Sequence, residues 1–263
     1  MARLALIGGT SLGPSALETG LKSVGLIIDS SEVVEVETPW GGVPMSIISL
    51  QSDGVKHTLF VIQRHHGKDG KSTPPHRIEF RANMHALTTC GADACLSINN
   101  VGSLCEDWPP SSVGLVEDVM CLNGEAWTFS DDHAVHVPMT KVLDVELQDV
   151  LETSLRRSQP DLPANVRMRH VYARSIGPQF ESKAEVVALR SLGATCVGMT
   201  IVPEVRLAAE REMPMCAIVI SGNWGAGMSN VEPHLDGDAV ISDARARMGP
   251  AWQALADLLA HLS

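Results

Sequence analysis

The chain has 263 residues, 44% of them apolar, and a formal net charge of −11 from 20 basic and 31 acidic side chains. That balance argues against nucleic acid as a partner, because neutralising a phosphate backbone takes a basic surface, though a few local donors can still hold a small anion. A mean hydropathy of +0.08, no apolar run near the roughly 18 residues of a membrane span and no secretory leader pattern predict a globular, cytoplasmic protein with no membrane partner.

The first element, LALIGGTSLG at 4–13, reads as a buried strand over 4–7 entering a glycine turn. Strand-like stretches follow at 33–37, 46–50 and 57–62, the last rich in β-branched and aromatic residues. Residues 77–89 carry Ile78, Phe80, Ala82, Met84 and Leu87 at helical spacing, and Gly91 closes that helix. A buried strand is expected at 94–98 and another at 112–119, after the Pro109–Pro110 break. Residues 123–138 have no clear period and read as a long loop, a length often found in functional lids. A helix over 142–155 and a strand over 166–172 come next. Ser182 with Glu185 is a capping box opening a helix to about Leu192. Then follow a strand at 195–199, a helix at 203–212 with Pro203 in its first turn, and a strand at 215–220. Residues 238–262 close the chain as one long helix or a broken pair. Strands alternating with helices predict an α/β fold, one domain over 1–263, with a central mixed, mostly parallel β-sheet flanked by helices.

The six cysteines form no C-x-x-C pair. Several lie in apolar strands, so they read as reduced, packed thiols rather than zinc ligands or a disulfide framework. The DDHAVH stretch, Asp131 to His136, lacks a third cluster of ligands and reads as polar lid; no metal is expected.

The glycine turn suggests a phosphate, and three owners are open. A dinucleotide site needs G-x-G-x-x-G, whereas here Thr10 stands at the second glycine, and no acidic residue ends a clean second strand about 20 residues on. A P-loop needs Gly-Lys-Ser/Thr, which is absent. Free phosphate fits better. The Thr10 hydroxyl beside exposed backbone N–H groups can donate several hydrogen bonds to an oxyanion. "VIQRHHGK" adds Arg64, His65 and His66 at a strand end.

Seven stretches then fall in a familiar order: IGGTSLG, QRHHG, HRIEFRANMHAL, NNVGSL, GPQFESKAEV, GMTIVPEVRLAAE and SGNWGAG. On these the chain resembles the trimeric purine nucleoside phosphorylase and methylthioadenosine (methylthioinosine) phosphorylase family from about residue 4 to 230. The resemblance implies attack of inorganic phosphate, a co-substrate, on a purine nucleoside. The products are free purine and a pentose 1-phosphate, as in purine salvage, with no cofactor. It implies a homotrimer whose only other partners are the nucleoside and phosphate. By position it assigns phosphate to Thr10, Arg64, His65 or His66, the backbone near Asn100, and Thr200. The family's branches place their histidine either directly after the arginine or one residue later, and this sequence has both. The sugar and base fall to Phe180, Met199, Gly222 and His234, and the purine-reading, catalytic roles to Glu181 and Asn223.

Chemistry sharpens the last pair. An amide at Asn223 suits the two acceptors, O6 and N7, of a 6-oxopurine, and Glu181 can accept from the N1–H that only that ring presents. Relatives acting on adenine nucleosides tend to carry Asp where Asn223 stands. Hypoxanthine or guanine nucleosides are therefore expected. A 5′-methylthio nucleoside and a purine-binding protein with little turnover are the alternatives. Gln179, where the methylthioadenosine branch usually has Arg, and Asn99–Asn100, in place of smaller residues, depart from the pattern.

Overall fold

The computed structural model describes residues 1–9, 12–67, 71–122, 124–230 and 245–263. Among these described residues, nine strands carry the fold: β1 (Arg3–Gly8), β2 (Ile27–Val36), β3 (Val43–Ser52), β4 (Val55–Gln63), β5 (Ala94–Ser103), β6 (Val113–Met120), β7 (Arg169–Arg174), β8 (Cys196–Gly198) and β9 (Met215–Trp224). The helices are α1 (Pro14–Ser23), α2 (Phe80–Thr89), α3 (Val145–Ser158), α4 (Lys183–Ser191), α5 (Ile201–Glu210) and α6 (Gly249–His261).

The sheet runs β2-β3-β4-β1-β5-β8-β7-β6-β9, and β9 also pairs with β5. Strands β5, β8, β7, β6 and β9 thus close a ring, with β1, β4, β3 and β2 fanning out from β5. Five of the strand pairings are parallel and four antiparallel, so the expected mixed α/β sheet is what forms. Its centre is dry. Leu4, Ala5, Leu6 and Ile7 of β1 are 0% exposed, as a strand covered on both faces requires.

Parallel pairing fixes where chemistry can gather. Strands β1, β4, β5 and β9 run the same way, so their carboxyl ends, at Gly8, Gln63, Ser103 and Trp224, open on one edge. In open α/β sheets that edge is where ligands bind. The antiparallel β8 sets Val197 opposite Gly102 and so carries Met199 and Thr200 back beside β5.

Several elements run longer than the sequence pattern suggested. Strand β2 begins at Ile27 rather than 33, because pairing with β3, not burial, holds its polar first half. Strand β5 runs past 98 to Ser103, and β9 past 220 to Trp224. Helix α5 starts two residues before Pro203, at Ile201. The capping box of α4 is complete: Ser182 Oγ accepts from Glu185 N, and the Glu185 carboxylate accepts from Ser182 N. The last expected element, 238–262, is a helix from Gly249, its first seven residues lying outside the described residues.

Helix α1 has no counterpart in the sequence reading. Its ten residues include Gly20, a poor helix former, and only three are buried. Gly20 is there for packing. A Cβ on it would stand 2.1 Å from Trp252 of α6, so only glycine lets the two helices meet.

Candidate active site

Arg64 follows the last residue of β4 and is 2% exposed. Its Nε donates to Glu204 Oε1 at 2.6 Å and its Nη2 to Glu204 Oε2 at 3.0 Å, so the guanidinium grips the carboxylate with two parallel bonds. Glu204, in the first turn of α5, is 0% exposed. Further bonds run from Nη2 to Ser97 Oγ (2.9 Å) and from Nη1 to the carbonyl of Ile98 (3.1 Å). One Nη1 hydrogen is left over from these bonds.

From Glu204 a directional chain crosses the strand ends. Ser97 Oγ donates to Glu204 Oε2 (2.7 Å), Asn99 Nδ2 donates to Ser97 Oγ (2.8 Å), and Thr200 Oγ1 donates to Asn99 Oδ1 (3.0 Å). The Tyr172 hydroxyl accepts from the N–H of Thr200 at 3.0 Å and so fixes the entrance to α5. Tyr172 is fully enclosed, and burial pushes its phenol well above its usual range. The network orients Arg64 and Thr200 rigidly, as a preorganised site demands.

Gly9 faces this apparatus. A Cβ on Gly9 would lie 3.7 Å from Arg64 Nη1 and 3.9 Å from His65 Nε2, so glycine turn, guanidinium and imidazole surround one space. Gly9 and His65 also line a cavity of about 400 Å³, together with Gly13, His66, Lys71 and Arg245 among others. A second cavity of about 330 Å³, between the start of α3 and the end of α5, contains none of the residues singled out from sequence.

The two histidines differ. The Nδ1 of His65 lies 2.8 Å from the carbonyl of Thr73, which can only accept. The proton therefore sits on Nδ1, and the neutral ring offers Nε2 as a lone pair. Burial holds the imidazole below its ordinary range, aided by the Arg64 charge and opposed by the Thr73 carbonyl. His66 instead sets Nε2 2.7 Å from Asn83 Oδ1, and Asn83 Nδ2 donates to the Arg64 carbonyl. One histidine points its free nitrogen toward Gly9; the other braces the strand end on α2.

The base-side candidates gather further along the same edge. Asn223 sits opposite Gly102 and donates from Nδ2 to the Trp224 carbonyl at 2.7 Å. A Cβ on Gly102 would approach Asn223 Nδ2 to 3.4 Å. Gly222 is exposed, and its carbonyl accepts from Arg247 Nη1 at 3.0 Å. Beyond Asn223 the chain packs on the start of α4: a Cβ at Gly225 would touch Val186, and one at Gly227 would touch Lys183. Glu181, half-buried, immediately precedes the Ser182 cap of that helix. Phe180 is 50% exposed. Met199 packs where a Cβ on Gly177 would meet its sulfur at 2.5 Å, and Gly177 has φ +73°, so glycine is needed there twice over. Asn100 is the one exposed residue of β5; Asn99, beside it, carries the hydrogen bonds. Thr10 and His234 lie outside the described residues.

The loop after β6 is pinned rather than free over its described part. Trp127 stacks on Arg174 at 4.3 Å, Phe129 packs against Trp40 at 5.4 Å, and Arg81 Nη1 donates to Asp131. In the DDHAVH stretch Asp132 pairs with His133 at 2.6 Å, both side chains well exposed. Among the described residues, no three His, Cys, Asp or Glu side chains converge as metal ligands, no helix is long and apolar enough to cross a membrane, and all six cysteines are free.

Comparison with known proteins now bears on this edge. The family model described as "Phosphorylase superfamily" matches residues 17–256. The chain belongs to that superfamily. It is 33% identical over 238 residues to a Thermococcus kodakarensis protein named "Probable 6-oxopurine nucleoside phosphorylase", covering 87% of this chain and 82% of the relative. It is 32% identical to one from Methanopyrus kandleri named "Probable S-methyl-5'-thioinosine phosphorylase", covering 90% and 84%. Its fold matches a methylthioadenosine phosphorylase from Schistosoma mansoni, solved with adenine, at a TM-score of 0.81 and 23% identity, covering 99% of this chain and 92% of that one. Glu204, Ser97 and the hydrogen-bonding role of Asn99 were not singled out from sequence. Glu204 does stand inside the quoted GMTIVPEV motif, and that was the available signal.

Proposed function

We propose that this phosphorylase-superfamily chain cleaves purine nucleosides with inorganic phosphate, preferring 6-oxopurines, and releases hypoxanthine or guanine and a pentose 1-phosphate. The observation that carries the reading is the convergence of the Gly9 turn, Arg64 Nη1 and His65 Nε2, beside a cavity at the strand ends that Gly9 and His65 line. Support comes from the names of the Thermococcus and Methanopyrus relatives, both of which concern 6-oxopurine nucleosides.

In this reading no side chain is the nucleophile. A phosphate oxygen attacks the anomeric carbon, the bond to purine N9 breaks, and its electron pair leaves with the base. The transition state carries positive charge on the sugar between two anions, so the protein's task is to position and to stabilise charge. Backbone N–H groups at the glycine turn, the remaining Arg64 hydrogen and the Thr200 hydroxyl hold phosphate. The Thr200 proton, which points to Asn99 Oδ1, turns to the phosphate when it binds. Asn223 donates to N7 of the departing base, and Glu181 accepts from N1–H. Thr10 and His234 join on sequence grounds. A homotrimer in the cytoplasm belongs to the same reading, supported by the resemblance and by an exposed β2 edge on which Ile27 is 65% and Val33 70% exposed.

The test is a kinetic panel of inosine, S-methyl-5′-thioinosine and S-methyl-5′-thioadenosine, each with and without phosphate. The proposal expects strictly phosphate-dependent cleavage, with both 6-oxopurine nucleosides ahead of the 6-amino one by tens- to hundreds-fold. A preference for S-methyl-5′-thioinosine over inosine assigns the 5′-methylthio substrate. Purine release without phosphate, or none at all, contradicts the proposal.

A further inference from the structure

We infer that Arg245, on the approach to the C-terminal helix, supplies the uncompensated positive charge of the phosphate cavity and sets its affinity for the anion. The inference deepens the function proposed above and rests on that reading.

The strand-tip arginine cannot fill this role alone. Arg64 and Glu204 are joined by two bonds and are 2% and 0% exposed, so the pair brings no net charge to the cavity wall. His65 is held neutral by burial, its proton fixed on the side facing Thr73. A multiply charged anion at such a site is held more tightly by a further cation close by, because charge-assisted hydrogen bonds to phosphate are stronger than neutral ones.

Among the described residues, two cations, Lys71 and Arg245, line the cavity beside Gly9 and His65. The Arg245 guanidinium stands 3.1 Å from where a Cβ on Gly13 would be, so it lies against the glycine turn. Arg245 forms no ion pair with a carboxylate among the described residues. It lies against the N-cap of α1, a helix with no acidic residue in its first turn. A cation there is repelled by the positive helix end, and an anion between them removes the repulsion. Its planar fork suits two phosphate oxygens at once, which the compact ammonium of Lys71 does not. Two residues on, Arg247 Nη1 donates to the carbonyls of Ser221 (3.3 Å) and Gly222 (3.0 Å), tying this segment to the end of β9.

Calorimetric titration of inorganic phosphate into the wild type, Arg245→Gln and Arg245→Lys tests the inference directly. Phosphate KM and nucleoside KM are measured alongside. Arg245→Gln is expected to weaken phosphate binding and raise phosphate KM about tenfold or more. Nucleoside KM and the urea midpoint should stay within twofold and unchanged, and Arg245→Lys should recover part of the loss. Phosphate affinity within twofold of wild type in Arg245→Gln overturns the inference, as does a wild type that binds no phosphate. If the wild type binds phosphate through Arg245 yet cleaves no nucleoside, the phosphorylase reading fails and this inference stands. If it cleaves nucleoside and Arg245→Gln leaves phosphate KM unchanged, the reverse holds.

Discussion

Glu204→Gln is expected to lower the folding free energy by about 3–5 kcal/mol, because it leaves the Arg64 charge buried without its partner. The change barely alters shape, so packing is not the cause. Arg64 keeps its bonds to Ser97 and the Ile98 carbonyl, but neutral oxygens do not replace a carboxylate. The same variant should respond to phosphate more strongly than the wild type. An anion in the cavity would face a free guanidinium and restore much of the lost charge balance, and any ligand bound only by the folded state raises stability. Urea unfolding with and without phosphate measures both effects. A loss under about 1 kcal/mol, typical of exposed ion pairs, would mean that the pair is solvated and that the site's electrostatics are different.

Asn223→Asp is expected to shift the kcat/KM ratio of 6-oxo to 6-amino nucleosides by roughly ten- to hundredfold towards the amino substrates. In the proposed reading the amide, once turned from the Trp224 carbonyl, donates to O6 and N7 of a 6-oxopurine. A carboxylic acid in its place can accept from a 6-amino group and, when protonated, donate to N7. Leaving one buried polar group without a partner costs about 1–3 kcal/mol, and this sets the size of the shift. Inosine and adenosine compared at saturating phosphate give the ratio. Equal losses on both substrates would remove Asn223 from base recognition, and an unchanged ratio would do so more firmly.

Much of this edge was legible in the sequence because it is built from short, local signals. The glycine turn, the arginine at a β-branched strand end and the capping box of α4 each depend on neighbouring residues only. The family motifs then supplied their order. Glu204 is different. In sequence it reads as the polar residue of an amphipathic helix, and its partner Arg64 lies 140 residues away; only the packing of α5 against α2 and β9 at the sheet's strand ends brings them together. The different directions of His65 and His66 also needed three dimensions. Adjacent side chains at a strand end diverge, and the direction of each is set by Thr73 in one case and Asn83 in the other. Helix α1 escaped notice because Gly20 suits the shape of Trp252 rather than helix propensity. Arg245 lies past the stretch where motif resemblance holds, so neither pattern nor kinship marked it.

The account is tested most directly by the position of phosphate in crystals grown with the anion and a purine. The predicted site lies within hydrogen-bond reach of the Gly9 turn, Arg64 Nη1 and His65 Nε2, with the base at Asn223 and Glu181. Phosphate bound elsewhere while that cavity stays filled by water would contradict it.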